Sequence, residues 1–285
     1  MKRQQIDYQS MAIDCPALVI DRQKLEKNTR TLVTLMADHG VEVAAVTKCY
    51  CGDPHLAKAQ VRGGATMVAD SRIENLKKLS GIPVPKMLLR IPMISQVEEV
   101  VEYADISLNS ELAAVRALSA AARKKGKTHQ VILMVDIGDL REGCLPEEAV
   151  TLAGEILKLP GIRLVGIGAN YSCFGGVQPH QHNLGQLVEI KKTVEEKYNV
   201  SLPYLSGGNS VSVHIVAAGE APEEFNHIRL GEAILLGIDS ERDQPLPGTS
   251  QDAFTLVAEV VELRTKPSKP IGTIGKDAFG NIPVF

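Results

Sequence analysis

The chain has 285 residues, 44% of them hydrophobic and 23% charged, which is enough apolar material for a full globular core. Its net charge of -3 at pH 7 provides no basic field, so neither a nucleic-acid partner nor an anionic membrane is favoured. No segment approaches the roughly 18 apolar residues of a membrane span, and the N-terminus lacks the apolar region of a signal peptide. We therefore expect a cytoplasmic protein, and the five scattered cysteines predict reduced thiols.

Short apolar segments alternate with helical patterns up to about residue 237, which is typical of repeated βα units around a parallel sheet. A leading strand at Ala17–Ile20 and a helix at 22–39 come first. Eight strands follow, at Val43–Thr47, Thr66–Ala69, Met87–Ile91, Ile106–Leu108, Val131–Val135, Leu164–Ala169, Tyr204–Ser206 and His227–Leu230. Because eight such strands close a barrel, the sequence predicts an α/β fold of the (β/α)8 TIM-barrel class.

The C-terminal part follows a different pattern. A loop rich in turn formers leads to an alternating apolar segment at 254–263, which predicts a half-buried strand. We expect residues 1–245 to form the barrel and 246–285 to begin a small β domain that this sequence does not complete.

A lysine directly follows the first barrel strand, in the segment TKCY at positions 47–50. Working side chains of such barrels lie where strands end and βα loops begin. A lysine there is expected to be partly desolvated, which favours the neutral amine that can attack an aldehyde. A surface lysine at a strand end is the alternative, and this motif alone does not decide.

Two further segments carry suitable chemistry. The glycines of SGGNS at 206–210 allow close backbone approach, and free N–H groups with a serine hydroxyl suit an anion, although a simple turn is the alternative. Arg229, at the end of the eighth strand, points into an apolar mouth and needs an acceptor, either a cofactor or a structural ion pair. Together, the amine, the phosphate cradle and the arginine favour a cofactor site.

In these motifs and their order, residues 15 to 240 resemble the fold-type III pyridoxal-phosphate (PLP) enzymes, specifically the alanine-racemase N-terminal domain. The resemblance implies PLP as the cofactor, a free amino acid as the substrate, and a homodimer that shares its active sites. AVTKCY is similar to the family's strand-lysine motif, which implies that Lys48 carries PLP and is one of two catalytic bases. VDIGDLREG resembles the segment VDTGMGRxG, which implies that Arg141 lies near the phenolic oxygen of PLP and the substrate carboxylate.

The same resemblance extends to the cofactor's ring and phosphate. In GIGANYSC, Asn170 takes the place of a side chain that faces the ring and is usually histidine. GGNS implies that Asn209 and Ser210 bind the phosphate, with Gly208 in the cradle. HIRLGEAILLG implies that Arg229 faces the pyridine nitrogen. Because arginine stays protonated, it donates to that nitrogen and leaves it unprotonated, which limits carbanion delocalisation and suits racemisation.

The chain also departs from the alanine-racemase pattern. KCYCGDP stands where KANAYGHG is usual, so Tyr50 follows the lysine by two positions instead of four and its cofactor-binding role is in doubt. The family's second base is a tyrosine of the partner's β domain, beyond this sequence. TKCYCGDP, YSCFGG and KPIGTIGKDAFGN resemble the ornithine-racemase-like branch, which implies a basic amino acid before alanine. Cys173 is a candidate second base, and a small buried cysteine is the alternative.

Two other functions and a metal site fit the sequence less well than a racemase. A non-catalytic protein of PLP homeostasis resembles only the barrel, so the additional strand after residue 253 counts against it. A decarboxylase or aldolase of this fold is disfavoured by Arg229 and by the chain length. His180 and His182 have no acidic or cysteine residue at ligand spacing, so a helix start is preferred to a metal site there, and no metal is expected.

Overall fold

The protein is represented by a computed structural model that describes residues 13–172 and 174–284. These residues divide into two units. One spans Ile20–Phe254, and the other contains residues 13–19 together with 255–284. The sequence placed the division after residue 245 and assigned the N-terminal residues to the barrel, whereas the contacts divide the chain after Phe254 and group residues 13–19 with the tail. That the tail begins a larger β domain stays a prediction.

The first unit is a closed barrel of eight parallel strands in chain order, so the predicted (β/α)8 TIM barrel is confirmed. The strands are β2 (Glu42–Val46), β3 (Met67–Asp70), β4 (Lys86–Leu88), β5 (Ile106–Asn109), β6 (His129–Met134), β7 (Ile162–Gly168), β8 (Tyr204–Ser206) and β9 (His227–Leu230). Pairing of β2 with β9 closes the barrel and places Ala44 opposite Arg229. The end of β2 and the end of β9 are therefore neighbours at the mouth.

Helices follow or precede the strands around the barrel. They are α1 (Arg22–Ala37), α2 (Pro54–Arg62), α3 (Ile73–Lys78), α4 (Val97–Tyr103), α5 (Leu112–Lys124), α6 (Pro146–Leu157), α7 (Gln181–Tyr198), α8 (Val213–Ala217) and α9 (Glu232–Leu236). Asp53 caps α2 and Pro54 is its first residue, as the sequence predicted. His180 caps α7, which contains His182. None of these helices is long and apolar enough to cross a membrane.

The barrel interior is apolar along β2 to β7 and polar along β8 and β9. A separate core cluster fills it with alanine, valine, methionine, isoleucine and leucine side chains of β2 to β7, including Val46, Met67 and Ile132. On β8 and β9 the buried side chains of Ser206, His227 and Arg229 take the corresponding positions. Because buried polar groups need hydrogen-bond partners, this side of the barrel must supply them internally or receive them from a ligand.

Two short sheets complete the structure. β10 (Ile238–Asp239) pairs with β11 (Gln244–Pro245), and β1 (Ala17–Ile20) pairs with β12 (Phe254–Val257). The predicted strand at 254–263 was therefore too long. A strand needs a partner for its backbone, and β1 offers only four residues. Beyond it Val260 and Val261 are exposed.

Candidate active site at the barrel mouth

Lys48 lies immediately beyond β2, as the first residue of a single 3-10 turn, Lys48–Tyr50. Its side chain is exposed, and its amine makes no hydrogen bond or ion pair with any described residue. The partial desolvation expected from the sequence is not found, because the turn carries the lysine out of the buried strand into the open mouth. The amine is therefore available to a ligand.

Behind Lys48, a buried carboxylate holds the end of β2. Thr47 donates its hydroxyl proton to Asp70 of β3 at 2.6 Å, and Asp70 also accepts from the Asn75 amide at 3.0 Å. Thr47 and Asp70 are both fully buried. Sequence reasoning missed this contact, which joins residues 23 positions apart. It fixes the backbone from which Lys48 projects.

Arg229 is buried at the end of β9 and held by four acceptors. Its Nη1 donates to the carbonyl oxygen of Ser206 at 3.2 Å and to the Ser206 hydroxyl. Its Nη2 donates to the carbonyl oxygen of Ala169 at 2.7 Å and to Oδ1 of Asn170 at 2.6 Å. A guanidinium has five N–H donors, and the Nε–H has no partner among residues 13–172 and 174–284. Arg229 therefore keeps one donor for a ligand.

The Ser206 hydroxyl links Arg229 to His227. Since a guanidinium can only donate, the Ser206 oxygen accepts from it, and its own proton is free for Nδ1 of His227 at 2.8 Å. Burial, together with the charge of Arg229, lowers the pKa of His227 to about 3. His227 is thus neutral near pH 7, with its remaining proton on Nε2, which is buried without a partner in the described structure.

The loop after β8 passes close to Arg229. The Gly208 carbonyl accepts the backbone N–H of Arg229 at 3.1 Å. Gly208 has φ +125, and a Cβ there would lie 2.3 Å from the Ser212 hydroxyl oxygen. Asn209 spans the loop, because its Oδ1 accepts from the Val211 N–H and its Nδ2 donates to the Tyr171 carbonyl. The loop is therefore a fixed, close-packed backbone that a larger residue would disturb.

Ser210 and a neighbouring tyrosine both keep a hydroxyl proton. Ser210 Oγ accepts the Ala233 N–H at 3.1 Å, so its own proton can be donated elsewhere. Tyr171 is fully buried, and its hydroxyl has no partner among the described residues. Desolvation raises the pKa of Tyr171, against the nearby charge of Arg229. Tyr171 was not recognised from the sequence as a site residue.

Arg141 and Asn170 meet at a carboxylate, Glu142. Glu142 forms an ion pair with Arg141, whose Nε lies 3.0 Å from Oε2. Its Oε1 accepts hydrogen bonds from Arg141 Nη1 at 3.3 Å and from the Asn170 amide. Asn170 also accepts from Arg229, so Glu142 and Asn170 together connect Arg141 to Arg229. Glu142 was missed because its partner Asn170 lies 28 residues away.

Tyr50, a predicted cofactor-binding residue, is not part of this group. The Tyr50 hydroxyl donates to Gln60 of α2 in a buried contact, and burial raises the pKa of the tyrosine. It therefore faces the helix layer, and no hydrogen bond joins it to the other candidates. Cys173 lies outside the described residues.

Comparison with known proteins places the chain in a family. Residues 20–238 match the model of the alanine racemase N-terminal domain, which is more than half of the chain. The chain belongs to the alanine racemase N-terminal domain family. It is 44% identical to an ornithine racemase of Acetoanaerobium sticklandii over 95% of this chain and 77% of that protein. It is 36% identical to a lysine racemase of Thermotoga maritima, over 93% of this chain and 75% of that protein.

Solved structures of the family share the fold. The alanine racemase of D-cycloserine-producing Streptomyces lavendulae superposes with a TM-score of 0.64 at 22% identity, covering 77% of this chain and 58% of that one. The alanine racemase of Clostridium difficile 630 superposes with a TM-score of 0.67 at 17% identity, covering 87% of this chain and 67% of that one. This chain thus spans about three quarters of the length of the two racemases above and 58% of the Streptomyces enzyme.

Family membership confirms the predicted PLP-dependent amino-acid racemase, and the alternative of a non-catalytic PLP-binding protein gains no support. The residues at the mouth fit PLP. An unpaired lysine amine suits its aldehyde, and the spare Nε–H of Arg229 suits its ring nitrogen. The close-packed backbone at Gly208 and the spare proton of Ser210 suit its phosphate.

A second group of polar side chains lies elsewhere in the barrel unit. Potential ligand atoms of His214, Asp239 and Glu241 lie within 4.8 Å of one another. His214 Nδ1 is 2.6 Å from the Glu241 carboxylate, and Asp239 accepts from the backbone N–H of Glu241 at 3.0 Å. These contacts connect α8 to the β10 hairpin, and the buried His214 Nδ1 forms no hydrogen bond with any described residue.

Proposed function

We propose that this chain racemises a free amino acid, with PLP attached to Lys48. Ornithine or another basic amino acid is the favoured substrate, and alanine is the next. The observation that carries the proposal is the fixed guanidinium of Arg229, whose one spare donor lies on the strand next to Lys48. The preference for a basic substrate is supported by the 44% identity to an ornithine racemase and the 36% identity to a lysine racemase. When bound, PLP supplies the electron-withdrawing group that makes the substrate's α-proton removable.

The residues of the mouth divide this work. Lys48 holds the cofactor through its amine and takes or returns the α-proton on one face of the substrate. Arg229 donates its Nε–H to the ring nitrogen and keeps that nitrogen unprotonated, which favours return of the proton to Cα. Arg141, which is 43% exposed, is placed to bind the substrate carboxylate.

The phosphate site and the second base complete the assignment. Ser210 donates its hydroxyl proton to the phosphate, while Gly208 and Asn209 shape the backbone around it. Cys173 remains our candidate for the base on the opposite face. Tyr50 is assigned a supporting role behind Lys48, because its hydroxyl is held by Gln60.

The proposal includes a cytoplasmic homodimer. Support for a dimer comes from four exposed apolar side chains on the loops that follow β4, β6 and β7, namely Met93, Ile94, Leu140 and Phe174. Exposed apolar residues clustered on one end of a barrel are typical of an interface. The variant Leu140→Ser/Phe174→Ser is expected to shift the mass measured by light scattering from dimer to monomer. The matched variant Val260→Ser/Val261→Ser, in the exposed tail, should leave the mass unchanged.

The function is tested by incubating the PLP-loaded protein with single L-amino acids in heavy water. Ornithine, lysine and alanine are compared for loss of the α-proton and for appearance of the D-form. Exchange with D-product, fastest on ornithine, is the expected result. Exchange without D-product means that Lys48 works and the opposite base is missing. No exchange on any of the three overturns the proposal.

A further inference from the structure

The carboxylate of Glu142 lies at the mouth of the barrel, and the proposed reaction assigns it no role. We propose that Glu142 is a positioning residue that joins Arg141 and Arg229 into one hydrogen-bonded unit through the side-chain amide of Asn170. The inference rests on the proposed PLP site, because Arg229 is assigned there to the ring nitrogen and Arg141 to the substrate.

The hydrogen bonds run in one direction through this unit. Arg229 Nη2 donates to Oδ1 of Asn170 at 2.6 Å, and Nδ2 of Asn170 donates to Glu142. Glu142 Oε1 also accepts from Arg141 Nη1 at 3.3 Å, and Arg141 Nε lies 3.0 Å from Oε2 as an ion pair. Each donor and each acceptor is used in the only sense its chemistry allows, since guanidinium donates and carboxylate accepts.

Asn170 is suited to the middle of this chain because its two ends differ. Its carbonyl oxygen accepts from the guanidinium of Arg229, and its amide NH2 group donates to the carboxylate of Glu142. Rotating the amide by half a turn would place its NH2 group against the guanidinium and its oxygen against the carboxylate. Both contacts would then be repulsive, so Glu142 and Arg229 together fix the amide, and the amide in turn fixes the plane of Arg229.

Charge supports the same arrangement. Arg141 and Arg229 are both cations, and the charge of Arg141 disfavours the protonated form of Arg229. Burial lowers the pKa of Arg229 to about 10, and the charge of Glu142 opposes that shift. The side chain of Glu142 is only 18% exposed, so solvent screens its attraction less than at the surface. Without Glu142, two cations would face each other across Asn170.

The test measures PLP binding, which requires no turnover. The dissociation constant of PLP and the pH midpoint of the absorption change of bound PLP are compared in wild type, Glu142→Ala, Asn170→Ala and the double variant. Each single variant is expected to weaken PLP binding about tenfold, the effect of losing one hydrogen bond to a charged group. Because both residues act in one chain, the double variant should be no weaker than the weaker single variant.

A second variant separates charge from shape. Glu142→Gln keeps the side-chain volume and removes the negative charge, so the field at the site becomes more positive and the pH midpoint is expected to fall. Glu155→Gln, the same change at an exposed glutamate on α6 that is paired with Lys158, is the matched control and should change neither quantity.

The outcomes separate this inference from the proposed function. Independent, multiplicative effects of Glu142→Ala and Asn170→Ala on PLP binding overturn it, as does a wild-type protein that binds no PLP. A kcat/KM loss confined to ornithine, with alanine turnover and PLP binding unchanged, also overturns it and makes Glu142 a ligand of the substrate's side-chain ammonium. If the variants bind PLP about tenfold more weakly while wild type shows no racemisation, the positioning role of Glu142 is supported. Only the proposed function is then contradicted.

Discussion

Lys48 and Arg229 stand at the ends of adjacent strands, β2 and β9, yet their surroundings are opposite. Arg229 is buried, with four of its five donors satisfied inside the protein. Lys48 is exposed, and its amine has no partner in the described part of the chain. The group assigned to tune the cofactor is thus built into the fold, whereas the group assigned to react with it is left free.

This difference separates stability from activity. An unpaired, exposed side chain contributes little to the free energy of folding, so replacing it should change activity and leave stability nearly unchanged. A buried cation with several hydrogen bonds cannot be changed without leaving acceptors unsatisfied. Substitutions at Lys48 and at Arg229 should therefore differ in whether they change activity alone or stability as well.

Removing the free amine should give the largest effect on activity. Lys48→Ala is expected to lower the rate of α-proton exchange on ornithine at least about 10³-fold, because a base positioned for proton transfer contributes on the order of 10² to 10⁴ and the cofactor attachment is lost as well. The free energy of unfolding of the apoprotein, measured in urea, should stay within about 0.5 kcal/mol of wild type. Lys58→Ala, at an exposed lysine of α2, is the control for both measurements. A large loss of stability in Lys48→Ala would contradict the comparison.

Removing the buried guanidinium should reduce stability as well as activity. Arg229→Met leaves the Ala169 carbonyl oxygen and Oδ1 of Asn170 without their donor, whereas the Ser206 carbonyl keeps the Ala169 N–H. Each unsatisfied buried acceptor costs roughly 1 to 3 kcal/mol. We expect the free energy of unfolding, measured in urea, to fall by about 3 kcal/mol. Arg30→Met, at an exposed arginine paired with Glu26, should cost less than about 1 kcal/mol. Equal effects at the two arginines would disprove the structural role of Arg229.

The barrel could be predicted from the sequence because its strands are short, buried and flanked by turn residues. All eight predicted barrel strands overlap strands of the structure, and Tyr204–Ser206 and His227–Leu230 have the same bounds. The segment after Phe254 was misjudged, because alternation alone does not say whether a partner strand exists, and Leu263 is 88% exposed.

The site was only partly predictable, for a different reason. Lys48, Ser210 and Arg229 could be proposed because each stands at a strand end in a recognisable motif. Glu142, Asp70 and Tyr171 acquire their roles from contacts with residues far away in the chain, which neither periodicity nor local motifs encode. The exposure of Lys48 was equally unpredictable, because it depends on the direction of the turn after β2.

A smaller effect is expected in the loop that packs against Arg229. Gly208→Ala places a Cβ 2.3 Å from the Ser212 hydroxyl oxygen at a backbone φ of +125 that other residues rarely adopt. We expect a loss of about 2 kcal/mol in unfolding free energy and weaker PLP binding by titration. Gly185→Ala, inside α7 where a Cβ would meet nothing within 4 Å, should leave PLP affinity unchanged and raise the unfolding free energy by up to about 1 kcal/mol. Unchanged PLP affinity in Gly208→Ala would count against a phosphate site in this loop.

Two buried histidines, His227 on β9 and His129 on β6, should make the stability of the protein depend on pH. The pKa is lowered to about 3 in His227 by burial and Arg229, and to about 4 in His129 mainly by burial. Between these values and the unfolded value near 6.5, the unfolded chain binds more protons, so stability falls as pH decreases. Each histidine contributes up to about 1.4 kcal/mol per pH unit in that range.

His227→Asn, whose Oδ1 can replace Nδ1 as the acceptor for Ser206, should make urea midpoints between pH 7 and 5 less dependent on pH. His39→Asn, at an exposed histidine, should leave that dependence unchanged. Equal pH dependence in His227→Asn and wild type would mean that His227 is protonated in the folded protein, and the hydrogen-bond polarity assigned to Ser206 would then be wrong.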